Sequence, residues 1–192
     1  MHSQHRIRRH LPELSSADGG RFLGLLVRDQ AFLARYIAPL LARVPPARAP
    51  LIAETYGLGE AENRLQVFVW PAGAATPIHD HTSWGVYHVF AGTLEEQRYA
   101  RLDDGAQPSI AQLRRAWRRA WRRQDGASTV GPYEQGIHRV ANRTSRPAIS
   151  LHLYGPRTGT YDGRDYDPAR DFVCDRIELD DTSVGGLAGW LR

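Results

Sequence analysis

The sequence predicts an all-β core preceded by a short N-terminal helical segment. Between Ser15 and Val44, apolar residues recur at helical spacing. The chain has 192 residues, enough for one well-buried core and too few for two ordinary domains, so we expect a single domain. From Leu51 to about Tyr154, glycine, proline and aspartate separate short apolar runs typical of antiparallel strands in a sandwich or barrel: RLQVFVW, WGVYHVFAG, LEEQRYARL, GASTV, HRVAN and AISLHLYG.

Residues 1–50 are expected to form a tail and two short helices that pack on the barrel. Asp29 is placed to cap the second helix, and the VPPARAP segment ends it, because proline cannot continue a helix. Residues 51–192 are predicted to form the barrel domain with a C-terminal covering segment. After Gly155 the chain is rich in glycine, aspartate and arginine, which favours an ordered coil over the barrel, and the final VGGLAGWLR is expected to form a closing turn.

Composition narrows the chemistry that the chain can perform. Cys174 is the only cysteine, which excludes an internal disulfide and every multi-cysteine metal site, so a bound metal must be held by histidine. No apolar run approaches the roughly 18 residues that span a bilayer. The first ten residues lack the apolar stretch of a secretory signal, so we expect a cytoplasmic protein. They look disordered, and their histidines, His2, His5 and His10, are left out of the site.

An arginine-rich cluster, QLRRAWRRAWRRQ at 112–124, accounts for much of the net charge of +4. Arginine pairs flank Trp117 and Trp121, which would suit an RNA-binding patch with stacking rings. The favoured interpretation is a solvated face whose tryptophans pack inward. We therefore expect no nucleic-acid partner and no membrane partner, and the composition is compatible with a monomer.

His79 and His81 form the first pair of candidate metal ligands, in the string PIHDH. In a strand, residues two apart project from the same face about 6.5 to 7 Å apart, so both imidazoles can reach one ion while Asp80 points the other way. His88 lies further along the next strand and is interpreted as a packing or rim residue.

The residues around this pair resemble the two motifs of the cupin barrels. The first motif continues from the histidine pair to a glutamate and then a glycine; Gly92 occupies the glycine position, but Gly85 stands where the glutamate would be. The second motif supplies a histidine and an asparagine, matched by His138 and Asn142. The fold is thus predicted to be a cupin double-stranded β-helix (jelly-roll) barrel, with His79, His81 and His138 as a metal site of three neutral imidazoles.

A site without a carboxylate ligand keeps the full charge of a divalent metal and leaves about three coordination positions open. Such a site favours anionic ligands, and a substrate thiolate beside dioxygen suits it. The strand AISLHLYG adds Ser150, His152 and Tyr154 at strict alternation on one face. Buried polar groups need partners, and a relay from serine to histidine to tyrosine would satisfy each group and hold the tyrosine hydroxyl rigidly near the metal.

Taken together, PIHDH, Gly92, HRVAN and SLHLY resemble the cysteine dioxygenase family of thiol dioxygenases over roughly Leu65 to Tyr154. The resemblance implies Fe(II) as cofactor and oxidation of a thiol to a sulfinic acid, with both atoms of dioxygen incorporated. It also implies that the three histidines bind iron and that the serine, histidine and tyrosine form a triad beside it.

Two departures from the animal members bear on the substrate. Those members carry a cysteine, crosslinked to the tyrosine, where this chain has Gly85, so no crosslink is expected. They also bind the substrate carboxylate with an arginine at the position of Ala53. The string HDHTSWG is similar to the bacterial 3-mercaptopropionate dioxygenases, which use an arginine shortly after the tyrosine. Arg164 is the first candidate for this carboxylate-binding arginine, and Arg157 is the second. Trp84 is expected to line the substrate pocket.

The expected partners are a small thiol, either 3-mercaptopropionate-like or cysteine, and dioxygen. Two alternatives stay open: a three-histidine cupin oxygenase that acts on a substrate other than a thiol, and a non-enzymatic cupin that holds a metal. Cys174 lies outside the motifs and is interpreted as a bystander thiol.

Overall fold

The computed structural model describes residues 14–58, 63–157 and 161–176. The helical region comprises α1 Ser16–Leu26 and α2 Gln30–Phe32, which continues through a π-helical turn, Leu33–Ile37, into α3 Ala38–Leu41. The strands are β1 Leu51–Leu58, β2 Asn63–Trp70, β3 Ile78–His79, β4 Gly85–Ala91, β5 Leu94–Arg101, β6 Leu113–Trp121, β7 Ala127–Val130, β8 His138–Ala141, β9 Ala148–Tyr154, β10 Arg164–Asp167 and β11 Phe172–Asp175.

The strands form two antiparallel sheets, ordered β1-β2-β9-β4-β7 and β11-β10-β3-β8-β5-β6. Their inner faces meet in an apolar cluster that joins Trp70 and Tyr87 of the first sheet to Leu94 and Val140 of the second. Apart from the consecutive pairs β1-β2, β5-β6 and β10-β11, neighbouring strands come from distant parts of the sequence, as in a jelly roll. The predicted cupin barrel is confirmed.

Both faces of the central strands β4 and β9 of the first sheet are buried, and successive residues of each strand point to opposite faces. Along β9, Ile149, Leu151 and Leu153 face the helices and pack in one cluster with Leu23 of α1. The alternate residues of β9 face the interior between the sheets. Helix α1 approaches β4 so closely that a Cβ on Gly19 would lie 2.8 Å from Val86 Cγ1, which explains the glycine there.

The N-terminal helices occur where the sequence predicts them. Asp29 caps α2, since its carboxylate accepts a hydrogen bond of 3.0 Å from the backbone N–H of Phe32. Ser15 and Asp18 form a reciprocal capping box at the start of α1. None of the described helices has the length and apolar character needed to cross a membrane.

Two expectations for the rest of the chain are wrong. The segment after Gly155 is not simply coil, because β10 and β11 add two strands to the edge of the second sheet. The polar sequences of these strands do not show the alternation of apolar residues that would predict them, because their pairing depends on backbone hydrogen bonds to β3.

The arginine-rich cluster forms the exposed edge strand β6, where Trp121 packs inward as expected but Trp117 is 42% exposed. Residues 1–10 and the tail VGGLAGWLR lie outside the described residues.

Candidate metal centre

Three buried histidines converge beside the central strands β3 and β8 of the second sheet. His79 ends β3 and pairs directly with His138, the first residue of β8, while His81 follows just beyond the end of β3. The nitrogen atoms that the three residues offer lie within 4.8 Å of one another, and His81 Nε2 is 3.3 Å from His138 Nε2. A divalent ion bound to imidazoles at about 2.0 to 2.1 Å needs nitrogens about this far apart. These residues fit a metal.

The orientation and protonation of the histidines also suit a metal. His79 Nδ1 lies 3.1 Å from the carbonyl oxygen of Pro77, and His138 Nδ1 lies 3.0 Å from Glu96 Oε1. A proton on each Nδ1 would be donated outward and would leave the Nε2 lone pair for the metal. Burial lowers the pKa of His79 and His81 well below the usual value and lowers that of His138 as well, so all three are neutral near pH 7.

Asp80 stands between two of the ligands but points away from them, as the alternation predicts. Its fully buried carboxylate accepts hydrogen bonds from the backbone N–H, Nε and Nη2 of Arg164, at 2.7, 2.8 and 2.6 Å. The Tyr166 hydroxyl donates a further bond of 2.7 Å. Strand β10 is thereby fastened to the ligand loop, which holds the backbone of both histidines in place.

A second buried carboxylate, Glu96 of β5, lies behind His138. Besides the histidine, Arg98 Nε donates to it at 2.6 Å, Ser128 Oγ at 2.6 Å and Trp121 Nε1 at 2.9 Å. Burial by itself raises the pKa of Glu96, but the hydrogen bond from His138 and the positive charge of Arg98 are among the interactions that outweigh it and lower the pKa to about 2. Glu96 is therefore a carboxylate at neutral pH. The sequence analysis did not find it.

The polar residues of β9 make the predicted relay. Ser150 Oγ is 2.8 Å from His152 Nε2, and His152 Nδ1 is 3.0 Å from the Tyr154 hydroxyl. The indole N–H of Trp70 donates to Ser150 Oγ at 2.8 Å, and because an indole is only a donor, the serine proton is left to donate to His152. His152 then carries its proton on Nδ1 and donates to the tyrosine oxygen, so the tyrosine proton is left for a further partner.

The relay is buried and neutral. Phe68 and Tyr87 contact the His152 ring, with centroids 4.5 and 4.9 Å away, and the Tyr87 ring lies nearly parallel to it at 13°. Burial lowers the pKa of His152 to about 3 and raises the pKa of the Tyr154 hydroxyl. A neutral phenol beside the histidine cluster can donate its proton in a hydrogen bond.

A cavity of about 470 Å³ joins the histidines to the relay. Its walls include the three candidate ligands, His152 and Tyr154. Two arginines, Arg64 and Arg176, and two aspartates, Asp162 and Asp165, are the charged residues of the lining. Arg176 Nη2 donates to the carbonyl oxygens of Asp80 and Asp162, each at 2.8 Å, and Nη1 donates to Asp165 at 3.0 Å. The bond to Asp80 places this guanidinium against the backbone between two metal ligands.

Comparison with known proteins assigns the chain to a family. Residues 54–167 match the family model of cysteine dioxygenase type I. The chain belongs to that family. The match includes all three candidate ligands and the relay on β9. It ends before Arg176, so the covering strand β11 lies outside it.

Individual relatives of the family are distant. Human cysteine dioxygenase type 1 is 30% identical over 100 residues, which cover 51% of this chain and 47% of the relative. Mouse 2-aminoethanethiol dioxygenase is 26% identical over 147 residues, covering 66% of this chain and 55% of the relative. The matched segments thus span about half the length of these relatives. A cupin superfamily protein from Desulfitobacterium hafniense has a TM-score of 0.42 at 13% identity, with 64% of this chain and 92% of that chain covered.

The predicted substrate-binding residues lie outside the cavity lining. Arg164 bonds to Asp80 and, at 2.7 Å, to Glu134. Strand β10 pairs Asp165 with His79, so Asp165 faces the cavity and Arg164 faces outward with Asp80. Arg157 Nε lies 3.6 Å from Asp162. This arrangement does not favour Arg164 as the residue that binds substrate.

Other predicted residues can also be placed. Trp84 packs where a Cβ on Gly155 would meet its Nε1 at 2.5 Å, and His88 is buried in β4 outside the histidine cluster, as expected of a packing residue. A Cβ on Gly85 would lie 3.2 Å from Tyr154 Cε1, so the glycine leaves room for the tyrosine ring against β4. Arg64 could have been predicted from the sequence, because it lies two residues before Gln66 on β2, and alternate residues of a strand face the same side; both residues line the cavity. No signal in the sequence distinguishes Arg176.

Proposed function

We propose that the chain is a mononuclear non-haem Fe(II) thiol dioxygenase that oxidises a small thiol to its sulfinic acid. The observation that carries this proposal is the pairing of three neutral imidazoles with the relay of Ser150, His152 and Tyr154 in one cavity. The family match supports the same chemistry. One thiol and one dioxygen give one sulfinic acid, so the overall reaction balances without an external reductant.

The mechanism assigns separate tasks to the residues of the cavity. His79, His81 and His138 would hold the iron, which when bound supplies a Lewis acid for the thiol and electrons that activate dioxygen. Tyr154 holds a proton at its hydroxyl and donates it in a hydrogen bond to the reacting groups, in a geometry that His152 maintains. Phe68 and Val140 give the wall an apolar part that limits water around the charged reactants.

We further propose a thiol carboxylate as substrate, 3-mercaptopropionate or cysteine, with Arg176 as the principal cation that binds its carboxylate. A buried carboxylate needs a cation, and a guanidinium can meet both of its oxygens. Arg176 is supported by its place in the cavity lining and by its contact with the backbone beside the ligands. Arg64, whose Nη2 lies 3.1 Å from Asp162, is the second candidate. Arg176 and Arg64 thus take the carboxylate-binding role that the sequence analysis gave to Arg164 and Arg157.

The decisive experiment is oxygen consumption by iron-loaded protein with 3-mercaptopropionate, cysteine and cysteamine, with the products identified by mass. We expect a product heavier than the substrate by two oxygen atoms, with both atoms labelled when ¹⁸O₂ is supplied. No sulfinic acid from any of the three thiols would reject the dioxygenase proposal. If cysteamine were the best substrate, the cavity aspartates Asp162 and Asp165 would be the more important charges and the carboxylate proposal would be wrong.

A further inference from the structure

We propose that Glu96 is a positioning residue for the metal: it sets the tautomer and orientation of His138 through a carboxylate-histidine hydrogen bond. The inference rests on His138 being a metal ligand, as the proposed function requires. Glu96 is fully buried on β5, and its Oε1 lies 3.0 Å from His138 Nδ1. The β5 and β8 register pairs Glu96 with Val140, which places His138 two residues away on the diagonal, within reach of a glutamate side chain.

Both oxygens of Glu96 face donors that cannot reverse their role. Arg98 Nε donates to Oε1 at 2.6 Å, and Trp121 Nε1 donates to Oε2 at 2.9 Å. Guanidinium and indole N–H groups never accept hydrogen bonds, so both positions require an oxygen. Ser128 Oγ adds a bond of 2.6 Å to Oε2. Arg98 and Trp121 therefore each need an acceptor oxygen of Glu96, and with Ser128 they prevent the carboxylate from rotating.

Arg98 is itself held from the other side. Its Nη2 donates to Ser128 Oγ at 3.1 Å and to the carbonyl oxygen of Thr129 at 2.6 Å. The guanidinium therefore cannot follow Glu96 if the glutamate moves, and β7 supports the carboxylate as firmly as β5 does. The position of His138 Nδ1 is thus determined by three strands of the barrel.

For His138, the consequence is that the proton resides on Nδ1 and the Nε2 lone pair is directed at the other two histidines. A carboxylate partner also makes the imidazole a stronger donor to a metal than a carbonyl partner does. His79 has only the carbonyl oxygen of Pro77 at its Nδ1. Gly85 stands where the cupin motif has a glutamate ligand, so the site lacks a carboxylate bound to the metal. Glu96 would compensate for part of this loss of negative charge, because it acts on the metal through His138.

Metal affinity measured without substrate tests this role. Glu96→Gln keeps the size of the side chain but turns an N–H toward Arg98 or toward Trp121, so the bond to His138 is weakened. We expect its affinity for Co(II), measured by competition with a chromophoric chelator, to fall about 10 to 100-fold, and the Co(II) absorption spectrum to change. The matched control is Glu95→Gln on the same strand. Glu95 accepts a hydrogen bond of 2.8 Å from Gln97 and is paired loosely with exposed Arg118, but it does not contact the histidine cluster, so we expect the metal affinity of this variant to match that of the unmodified protein.

A second variant separates positioning from general support of the barrel. Ser128→Ala removes one donor from Glu96 but leaves the bond to His138, so we expect a much smaller loss of affinity. An equal loss in Ser128→Ala and Glu96→Gln would mean that the carboxylate has only a structural role. Unchanged Co(II) affinity in a folded Glu96→Gln protein would overturn the proposal outright.

If Glu96→Gln fails to fold, the unmodified protein still provides a test. Nitrogen-15 NMR of the metal-free protein at pH 7.5 should show His138 protonated at Nδ1 and unprotonated at Nε2. The opposite tautomer would contradict the role of Glu96. Neither measurement involves a thiol, so a protein that binds metal as predicted but oxidises no thiol would refute the proposed function alone.

Discussion

The barrel strands and the segment that covers them carry the site in different ways. On β9, Ser150, His152 and Tyr154 make contacts that follow from alternation along one strand. In the covering segment, Arg164 of β10 faces outward and Arg176, which directly follows β11, reaches the cavity, although both are arginines in polar surroundings. A side chain on a strand of known register has a defined direction, whereas the direction in a covering strand depends on which neighbour it pairs with. The sequence therefore predicts the residues of the barrel that carry the chemistry, but it does not predict the charged residues that would determine substrate specificity.

The largest expected effect lies in the barrel. His138→Ala should abolish tight metal binding and all turnover, because two imidazoles hold a divalent ion poorly. Metal content after dialysis and oxygen consumption would measure both. His88→Ala is the control, since His88 lies outside the cluster and should leave metal content intact. A His138→Ala protein that still binds metal and is active would contradict the assignment of the three histidines as the metal site.

Removing one hydroxyl tests the relay with less disturbance of the barrel. Tyr154→Phe should fold and bind metal normally but lower kcat by about 10² to 10³-fold, the usual cost of a lost hydrogen bond to developing charge. Steady-state kinetics and a metal assay on the same preparation would show this. Turnover equal to that of the unmodified protein would take the relay out of the mechanism.

The covering strands should affect substrate affinity more than turnover. Arg176→Ala should raise KM for 3-mercaptopropionate about 10 to 100-fold, the value of a charge-assisted hydrogen bond of about 1.5 to 3 kcal/mol, while KM for cysteamine changes little. Arg170→Ala is the matched control, because that side chain is 82% exposed.

Arg164→Ala tests whether the outward-facing arginine stabilises the fold or binds substrate. It would leave the buried Asp80 carboxylate without its cation, so we expect lower stability, by about 3 kcal/mol or more, with little change in KM. The reverse pattern, a large KM effect from Arg164 and none from Arg176, would restore the substrate-binding role to Arg164. Thermal unfolding and kinetics on both variants decide between them.

The smallest expected effect per residue is the pH dependence of stability in the metal-free protein. Burial lowers the pKa of His79, His81, His138 and His152 below the usual 6.5, so the folded state stays neutral while the unfolded chain takes up protons as the pH falls below that value. Stability should fall from pH 7 to pH 5, at a rate approaching about 1.4 kcal/mol per pH unit for each histidine. Glu96 contributes nothing in this window, because its stabilisation is lost only below its usual pKa of 4.5. Urea unfolding of chelator-treated protein measures the slope, and a flat profile would contradict the buried neutral histidines.

Local spacing along the chain was enough to predict the histidine cluster, the hydrogen bonds of the relay and most of the strands. HxH spacing, HRVAN and the alternation of SLHLY describe residues within a few positions of each other, and a strand converts such spacing directly into shared faces. Asp29 could be identified as a helix cap for the same reason, since a cap contacts backbone only three residues away.

Tertiary structure alone decided which charges surround that site. Glu96 reaches His138 across 42 residues of sequence because β5 happens to lie beside β8 in one register. Arg176 reaches Asp80 across 96 residues, and Arg164 is turned outward because β10 pairs with β3 at Asp165 and His79. Shifting either pairing by one residue would reverse the faces, and such registers are set by the packing of the whole barrel, which no short pattern in the sequence records.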